Sequence, residues 1–483
     1  MSHKTNVFHS NARYLLSLGL FNFLIGFYRI GYQSIWLDEY LTLAVTKNFQ
    51  SLTMFFRTFP EQHPLYYFIV YFLNFNKDLN CLRFFSLIIG TACIYPLYSI
   101  GKRLFSERVG LLSCFLFAIS PFILYYNQEG RMYTLLMLLS LIQINSLLSL
   151  LRRNGQKQTY AFIALSILAM YTHFFFAFIL FSEAIFLLYL WKKQEHNVNI
   201  KQFIIIYGII GCAYLPWLIF LIKNLGGNTQ SWKGISHIIL GIPYTFFRFA
   251  VGYAIFPLNY EVKLDFARFM PAALKWSVVV FLAYVPFILL FWKSLKKMTP
   301  VQKLIPALSF LPICFVVIAS CFKNMVSERY VIYSAPIFYI AIASVLNQNA
   351  SVKKYTKVLS IAFPAVLSII GLFFYYTNHD FGKTNYKAAS QYIQTYTSED
   401  AIIICHPDTI RGPEDYYLKN TRLIFTWNSW RKAPKGREVW ILERLANYRF
   451  PINLKEFGYL KMAEETWRNE NGLRLTKWQV FNE

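Results

Sequence analysis

The sequence predicts an all-α polytopic membrane protein of about 11 transmembrane helices, followed by a small C-terminal soluble α/β domain. Three observations predict it. Of 483 residues, 56% are hydrophobic, 19% aromatic and only 15% charged, against about a quarter charged in ordinary globular domains. Apolar runs such as Tyr14–Ile30 and Val278–Trp292 approach the roughly 20 residues that cross a bilayer. The basic residues between those runs cluster in alternate loops, as they do on the cytoplasmic side of a membrane protein.

The spans expected in chain order are residues 14–34, 83–100, 109–126, 132–151, 159–172, 173–191, 202–222, 272–292, 303–322, 330–346 and 356–376. Residues 159–191 form one apolar block of about 33 residues, too long for a single untilted span. It is divided at Tyr171-Thr172-His173. Two further apolar segments, Pro64–Phe75 and Ile235–Phe256, are read as helices lying in the outer interface. The first is too short to cross, and crossing by the second would invert every later loop.

With the N-terminus inside, the clusters Lys102-Arg103 with Arg108, Arg152-Arg153 with Lys157, Lys192-Lys193 with Lys201, Lys293 with Lys296-Lys297, and Lys353-Lys354 with Lys357 all face the cytoplasm. Eight acidic residues of the membrane part then face outward: Asp38, Glu39, Glu61, Asp78, Glu129, Glu261, Asp265 and Glu328. Glu183 falls within a span, where an ionisable group is costly and is usually functional or paired. The first apolar run is read as a retained span, since no small-residue cleavage pattern comes after it before Trp36.

The formal charge of +24 is not a nucleic-acid signal. Residues 1–376 hold 32 basic against 11 acidic groups, and the excess sits largely in the short inside loops. The seven cysteines are scattered, without a CxxC pair, and their odd number argues against a disulfide framework. Residues 377–483 read as a separate extracytoplasmic domain. Ala401–Cys405 and Glu438–Leu442 are short buried strands, and Asn385–Tyr396 and Arg411–Leu418 are helices. Residues 1–376 form the membrane domain, with outer loops 31–82 and 225–271.

Five polar motifs fall on the outer face. Trp36-Leu37-Asp38-Glu39-Tyr40 offers two adjacent carboxylates, fit for a metal or a general base, or simply for starting the amphipathic stretch Tyr40–Phe59. In Glu61-Gln62-His63-Pro64-Leu65-Tyr66-Tyr67, Glu61 and His63 can share a metal or a phosphate, and Pro64 suits a first helical turn. Between two spans, Glu129-Gly130-Arg131-Met132-Tyr133 has so little length that Glu129 and Arg131 must sit at the membrane face. There they serve a ligand or form a structural ion pair. His173 in Tyr171-Thr172-His173 reads as a hydrogen-bonded core histidine or as a ligand. Arg329, in Ser327-Glu328-Arg329-Tyr330, reads as a snorkelling anchor or a phosphate contact. That five such clusters share one face points to a single cavity for an anionic lipid headgroup.

These residues resemble the GT-C superfamily of membrane glycosyltransferases, and within it glycosyltransferase family 39. Its members include protein O-mannosyltransferases, lipid A aminoarabinose transferases and rhizobial lipopolysaccharide galacturonosyltransferases. The resemblance covers residues 10–376. It rests on Asp38-Glu39, on His63-Pro64-Leu65-Tyr66-Tyr67 (one Pro where two are common), on Gly130-Arg131-Met132-Tyr133, on Tyr171-Thr172-His173 and on Glu328-Arg329-Tyr330. It implies a GT-C fold, a polyprenyl-phosphate-sugar donor reached from the outer leaflet, and a lipid, polysaccharide or protein acceptor.

Asp38 and Glu39 are the expected catalytic residues. Glu61, His63, Tyr67, Glu129, Arg131, Tyr133, His173, Arg329 and Tyr330 are the expected substrate contacts. A divalent ion is left open, with Asp38, Glu61 and His63 as candidate ligands. The implied location is a bacterial inner membrane, with the active site and the C-terminal domain on the extracytoplasmic side. A transporter or flippase of a lipid-linked glycan is the alternative. It should show an inverted repeat and ionisable groups at the midplane, whereas the sequence shows no repeat and polar clusters at one face.

Overall fold

The structure is a computed structural model. It describes residues 2–47, 63–195, 198–224, 235–255, 266–321, 327–348, 353–378, 383–407, 411–418, 423–426, 429, 438–444, 459–467 and 473–480.

Among the described residues, seven helices are long and apolar enough to cross a membrane: Leu79–Leu104, Tyr133–Arg153, Phe174–Lys192, Ile200–Lys223, Leu274–Leu295, Val301–Ala319 and Lys354–Thr377. The chain is a multi-pass membrane protein. Three other expected spans are shorter or differently bounded. The apolar block divides at His173, where the helix Gln156–Thr172 gives way to a 3-10 turn, Phe174–Phe176, and then to Ala177–Lys192. The span expected at 330–346 starts at Ser334, after a 3-10 turn over Glu328–Val331. The first helix, Ser2–Phe27, stops short of the expected residue 34. Arg29 takes a left-handed backbone, φ 57°, which a right-handed helix cannot continue through.

The span expected at 109–126 is not one helix. Glu107–Ala118 and Pro121–Asn127 meet at 64°. Proline has no N–H to donate and its ring crowds the preceding turn, so the first helix must end before Pro121. Ser120 then caps the second helix, its hydroxyl accepting the Ile123 N–H at 3.2 Å, a contact typically worth about 1 kcal/mol. The same hydroxyl donates to Tyr339 Oη at 2.6 Å, and Tyr339 donates on to the Phe249 carbonyl at 2.9 Å.

A buried amide network fixes the chain after this bend. Asn127 Nδ2 donates to Asn22 Oδ1 at 3.1 Å, and Asn22 Nδ2 donates to the Ala118 carbonyl at 3.3 Å. Gln128 Nε2 donates to the Gly26 carbonyl at 2.8 Å. Glycine at position 90 makes room for the Asn127 amide, since a Cβ there would fall 1.9 Å from Asn127 Oδ1. Glu183, the carboxyl expected within a span, is fully buried and accepts from Gln143 Nε2 at 2.9 Å.

The chain divides into two compact units. One comprises Met1–Tyr28, Val45–Gly252 and Val279–Leu372. The other comprises Arg29–Ala44, Tyr253–Val278 and Phe373–Glu483. Arg29–Ala44, at the start of the outer loop expected at 31–82, therefore belongs to the same unit as the C-terminal sheet. That sheet is built from β1 (Ile402–His406), β2 (Leu423–Thr426), β3 (Val439–Arg444), β4 (Tyr459–Trp467) and β5 (Leu473–Val480), in the order β2-β1-β3-β5-β4. β1 runs parallel to β2 and β3, with Ile402 opposite Val439, while β5 runs antiparallel to β3 and β4. Alternate residues of β1 and β3 enter two cores. Ile403, Cys405, Trp440 and Leu442 pack with Tyr386, Ala389 and Ile393 of the helix Tyr386–Tyr396. Ile402, Ile404, Val439 and Ile441 pack with Trp478 on the other face. Burial on both faces explains why these strands read as continuous apolar runs.

Candidate active site

The helical unit gathers most of the expected substrate contacts. His63 precedes the helix Pro64–Phe72, with Pro64 in its first turn as expected. Its Nε2 accepts the Phe174 backbone N–H at 3.0 Å and lies 3.2 Å from the Tyr214 hydroxyl. An acceptor Nε2 makes the ring neutral, with its proton on Nδ1. Burial acts in the same direction, pushing the His63 pKa down to about 3, because a cationic ring out of water is costly.

The His63 ring stacks on His173, with centroids 5.4 Å apart and planes 6° from parallel. His173 Nδ1 in turn accepts the Phe175 N–H at 3.3 Å. Tyr330 stacks on Phe175 at 4.3 Å and lies 5.6 Å from the His173 ring. The Arg329 guanidinium sits 5.2 Å over the Tyr330 ring. Tyr133 approaches the same cluster, 6.3 Å from His173 and 5.3 Å from Tyr126.

Arg131 lies in the same unit. The short turn before it is fixed by its own N–H, which donates to the Glu129 carbonyl at 2.8 Å. Its guanidinium is buried, and Nη1 donates to the Tyr67 hydroxyl at 2.8 Å. Glu129 is buried too. The tyrosine and the tight turn thus orient this buried guanidinium. Arg329 and Tyr330 are only partly buried.

Three residues around His63 carry no motif in the sequence: Phe174, Tyr214, and Trp217, whose ring lies 6.3 Å from the His63 ring. Tyr214 and Trp217 arrive on the helix Ile200–Asn224, and Phe174 on the 3-10 turn. Each sits in an apolar run, where one aromatic residue looks like the next.

Asp38 and Glu39 lie in the other unit, in the first turn of the helix Leu37–Lys47. They differ sharply in environment. Asp38 is partly exposed, whereas Glu39 is fully buried. Glu39 Oε1 pairs with Lys383 Nζ at 3.1 Å, and Glu39 Oε2 accepts the Trp36 N–H at 3.4 Å. The latter contact is the reciprocal half of a capping box, but the helix starts at Leu37, so Asp38 lies in its first turn and is not its cap. Glu39 is committed to an ion pair, and nothing in the sequence marks Lys383 as the partner.

Glu61, a candidate contact and metal ligand, lies outside the described residues. Among the described residues, no group of three or more His, Cys, Asp or Glu side chains stands ready to hold a metal ion. The His63 Nε2 lone pair is already taken by Phe174 N–H. The described residues therefore do not make a metal centre.

Known proteins share part of this sequence and its fold. The family model described as dolichyl-phosphate-mannose-protein mannosyltransferase matches residues 63–234. The fold is similar to ArnT from Cupriavidus metallidurans bound to undecaprenyl phosphate, at 10% identity, a TM-score of 0.55, and coverage of 96% of this chain and 97% of that one. It is similar also to ArnT in the apo state, at 11% identity and a TM-score of 0.51, covering 86% and 87%. A third similar structure is the Archaeoglobus fulgidus oligosaccharyltransferase complex with Zn and sulfate, at 11% identity and a TM-score of 0.51, covering 89% and 68%. No curated protein sequence matches the chain. The chain is thus similar over residues 63–234 to that family, and its fold is similar to those of ArnT and the oligosaccharyltransferase.

Proposed function

We propose that the protein moves a sugar from a polyprenyl-phosphate-linked donor to an extracytoplasmic lipid, polysaccharide or protein acceptor, with inversion at the anomeric carbon. The observation that carries this reading is the buried Arg131 guanidinium, held on Tyr67 at 2.8 Å at the turn between two apolar helices. A cation fixed there suits the phosphate of a membrane-embedded donor. The similarity to ArnT, one of whose structures holds undecaprenyl phosphate, supports the same donor class.

The chemistry assigns a role to each group. The acceptor hydroxyl oxygen attacks the anomeric carbon as the bond from that carbon to the phosphate oxygen breaks. The lipid phosphate leaves as an anion, so it needs charge stabilisation more than a proton, and Arg131 and Arg329 supply it. The acceptor proton passes to a carboxylate within hydrogen-bond reach. Asp38 is that base, because it is partly exposed while its neighbour Glu39 is locked on Lys383. His63, neutral and accepting from a backbone N–H, shapes the aromatic wall rather than contacting phosphate. The basic clusters between the spans support a cytoplasmic N-terminus, with Asp38 and the C-terminal domain on the opposite side, and the resemblance to glycosyltransferase family 39 supports a bacterial inner membrane.

The test is transfer by the purified full chain in detergent from a panel of polyprenyl-phosphate sugars, read as release of polyprenyl phosphate. Wild type releases it from at least one donor, and Asp38→Asn binds that donor but does not turn it over. If wild type binds none of the panel, the reading is wrong.

A further inference from the structure

The segment carrying Asp38 is laced to the C-terminal part of the chain. Gln33 Nε2 donates to the Tyr375 hydroxyl at 3.1 Å, and Gln33 Oε1 accepts the Lys383 N–H at 3.4 Å. Ser34 Oγ donates to Asn385 Oδ1 at 3.2 Å and accepts the Lys387 N–H at 2.9 Å. The Ile35 N–H donates to the Tyr417 hydroxyl at 2.7 Å. Tyr40 packs against Gly412 so closely that a Cβ on Gly412 would lie 2.5 Å from Tyr40 Cε1. At the centre, Lys383 Nζ meets Glu39 Oε1 at 3.1 Å, with side-chain exposures of 1% and 0%.

We propose that the C-terminal domain positions the catalytic acid, and that Lys383, acting through Glu39, is the positioning residue that aims Asp38. The inference rests on Asp38 being the base. Adjacent residues of a helix point about 100° apart, so fixing Glu39 fixes the direction in which Asp38 projects. A buried ion pair adds little net stability over an apolar pair of the same volume, because both charges lose their water. What it does supply is an anchor, since both side chains are buried with Lys383 Nζ 3.1 Å from Glu39 Oε1. A carboxylate that must meet a hydroxyl proton needs such an anchor, and a displacement of about 1 Å can cost about 100-fold in rate.

The neighbouring contacts fit the same role. Asn385 caps the helix Tyr386–Tyr396, its Oδ1 accepting the Ala388 N–H at 3.1 Å. Through Ser34, that cap ties the start of this helix to the acidic segment. Tyr417 belongs to the helix Arg411–Leu418, which comes after β1. The acidic segment is thus registered against two helices of the sheet domain rather than hanging from a loop.

The test uses the full chain in detergent and the active undecaprenyl-phosphate sugar, reading kcat, KM, donor affinity and thermal unfolding. Lys383→Met lowers kcat about 10- to 100-fold, with KM and donor affinity within about threefold of wild type. Lys383→Arg keeps the charge and retains more kcat than the methionine variant. Because a single change removes one half of a buried ion pair, Lys383→Met can also unfold the chain. The double variant Glu39→Gln/Lys383→Met removes both charges, and it is expected to melt near wild type yet keep the kcat deficit. Tyr417→Phe loosens the same lacing without stranding a charge, and lowers kcat about threefold to tenfold.

A folded double variant that turns over at the wild-type rate, while Asp38→Asn is inactive, overturns the inference and leaves the base assignment standing. A loss confined to melting temperature or donor affinity, with kcat unchanged, overturns it equally. Full turnover by Asp38→Asn removes the base assignment and the inference with it.

Discussion

Arg131 Nη1 donates to the Tyr67 hydroxyl at 2.8 Å, joining two motifs that lie 64 residues apart in the chain. Both side chains are buried, so the tyrosine holds the guanidinium in one orientation.

That geometry predicts a graded response. Arg131→Met lowers turnover about 100- to 1,000-fold, the usual effect of removing one preorganised contact to developing charge. Arg131→Lys keeps a point charge but loses the planar fork, and recovers only part of the rate. Tyr67→Phe removes one acceptor from the guanidinium and costs about 1–3 kcal/mol of stability. Polyprenyl phosphate release and thermal unfolding of the three variants measure this.

His63 predicts a pH dependence of stability. Its ring stays neutral in the fold, with the pKa pushed from 6.5 to about 3. The unfolded chain therefore binds a proton that the folded chain refuses between those values. Stability is intact above about pH 6.5 and falls as pH drops toward 3. His63→Gln, whose side-chain oxygen can still accept the Phe174 N–H, flattens that slope. Unfolding scans of both proteins across the range from about pH 4 to about pH 7 decide it.

Glu414 predicts the opposite slope at higher pH. It is fully buried beside Ser390, whose hydroxyl donates to it, and burial pushes its pKa from 4.5 up to about 8. The folded carboxyl is protonated where the unfolded one is ionised. Its contribution is complete below pH 4.5 and is lost as pH rises to about 8. Glu414→Gln keeps the neutral form at every pH. The unfolding temperature of the wild type should fall between about pH 5 and about pH 8, relative to that of this variant.

Gly101 predicts a steric cost. A Cβ there would lie 2.8 Å from the Cα of Gly110, where the helices Ile94–Leu104 and Glu107–Ala118 pack backbone to backbone. Backbone cannot swing aside as a side chain can. Gly101→Ala should therefore destabilise the fold by about 1–3 kcal/mol, read as a lower unfolding temperature in detergent. An unchanged value would mean that these helices do not pack so closely in the membrane.

Much of the architecture is legible in the sequence because membrane insertion is decided by composition over short windows. The run Ile200–Lys223 is long and apolar wherever it is placed. The division at His173 is readable too, since about 33 apolar residues exceed one span. The bend at Ser120 is hidden, although Ser120-Pro121 carries its signal. An unbroken apolar run outweighs two residues that punctuate the backbone. The strands Ile402–His406 and Val439–Arg444 are visible as apolar pentads bounded by polar turns.

The sequence by itself determined the class of molecule: apolar runs of bilayer length, basic loops in alternation, and motifs whose acids, arginines and histidines suit a lipid phosphate. Only the tertiary structure decided which of those residues meet. It set His63 against His173, Arg131 against Tyr67, and Glu39 against Lys383. It also separated the environments of Asp38 and Glu39, which are identical in charge and adjacent in the chain. The reason is physical. Hydrophobicity and loop charge act locally and add along the chain, whereas a buried ion pair exists only where two distant segments fold to within a few ångströms. A lysine 344 positions away leaves no mark on the residues around Glu39.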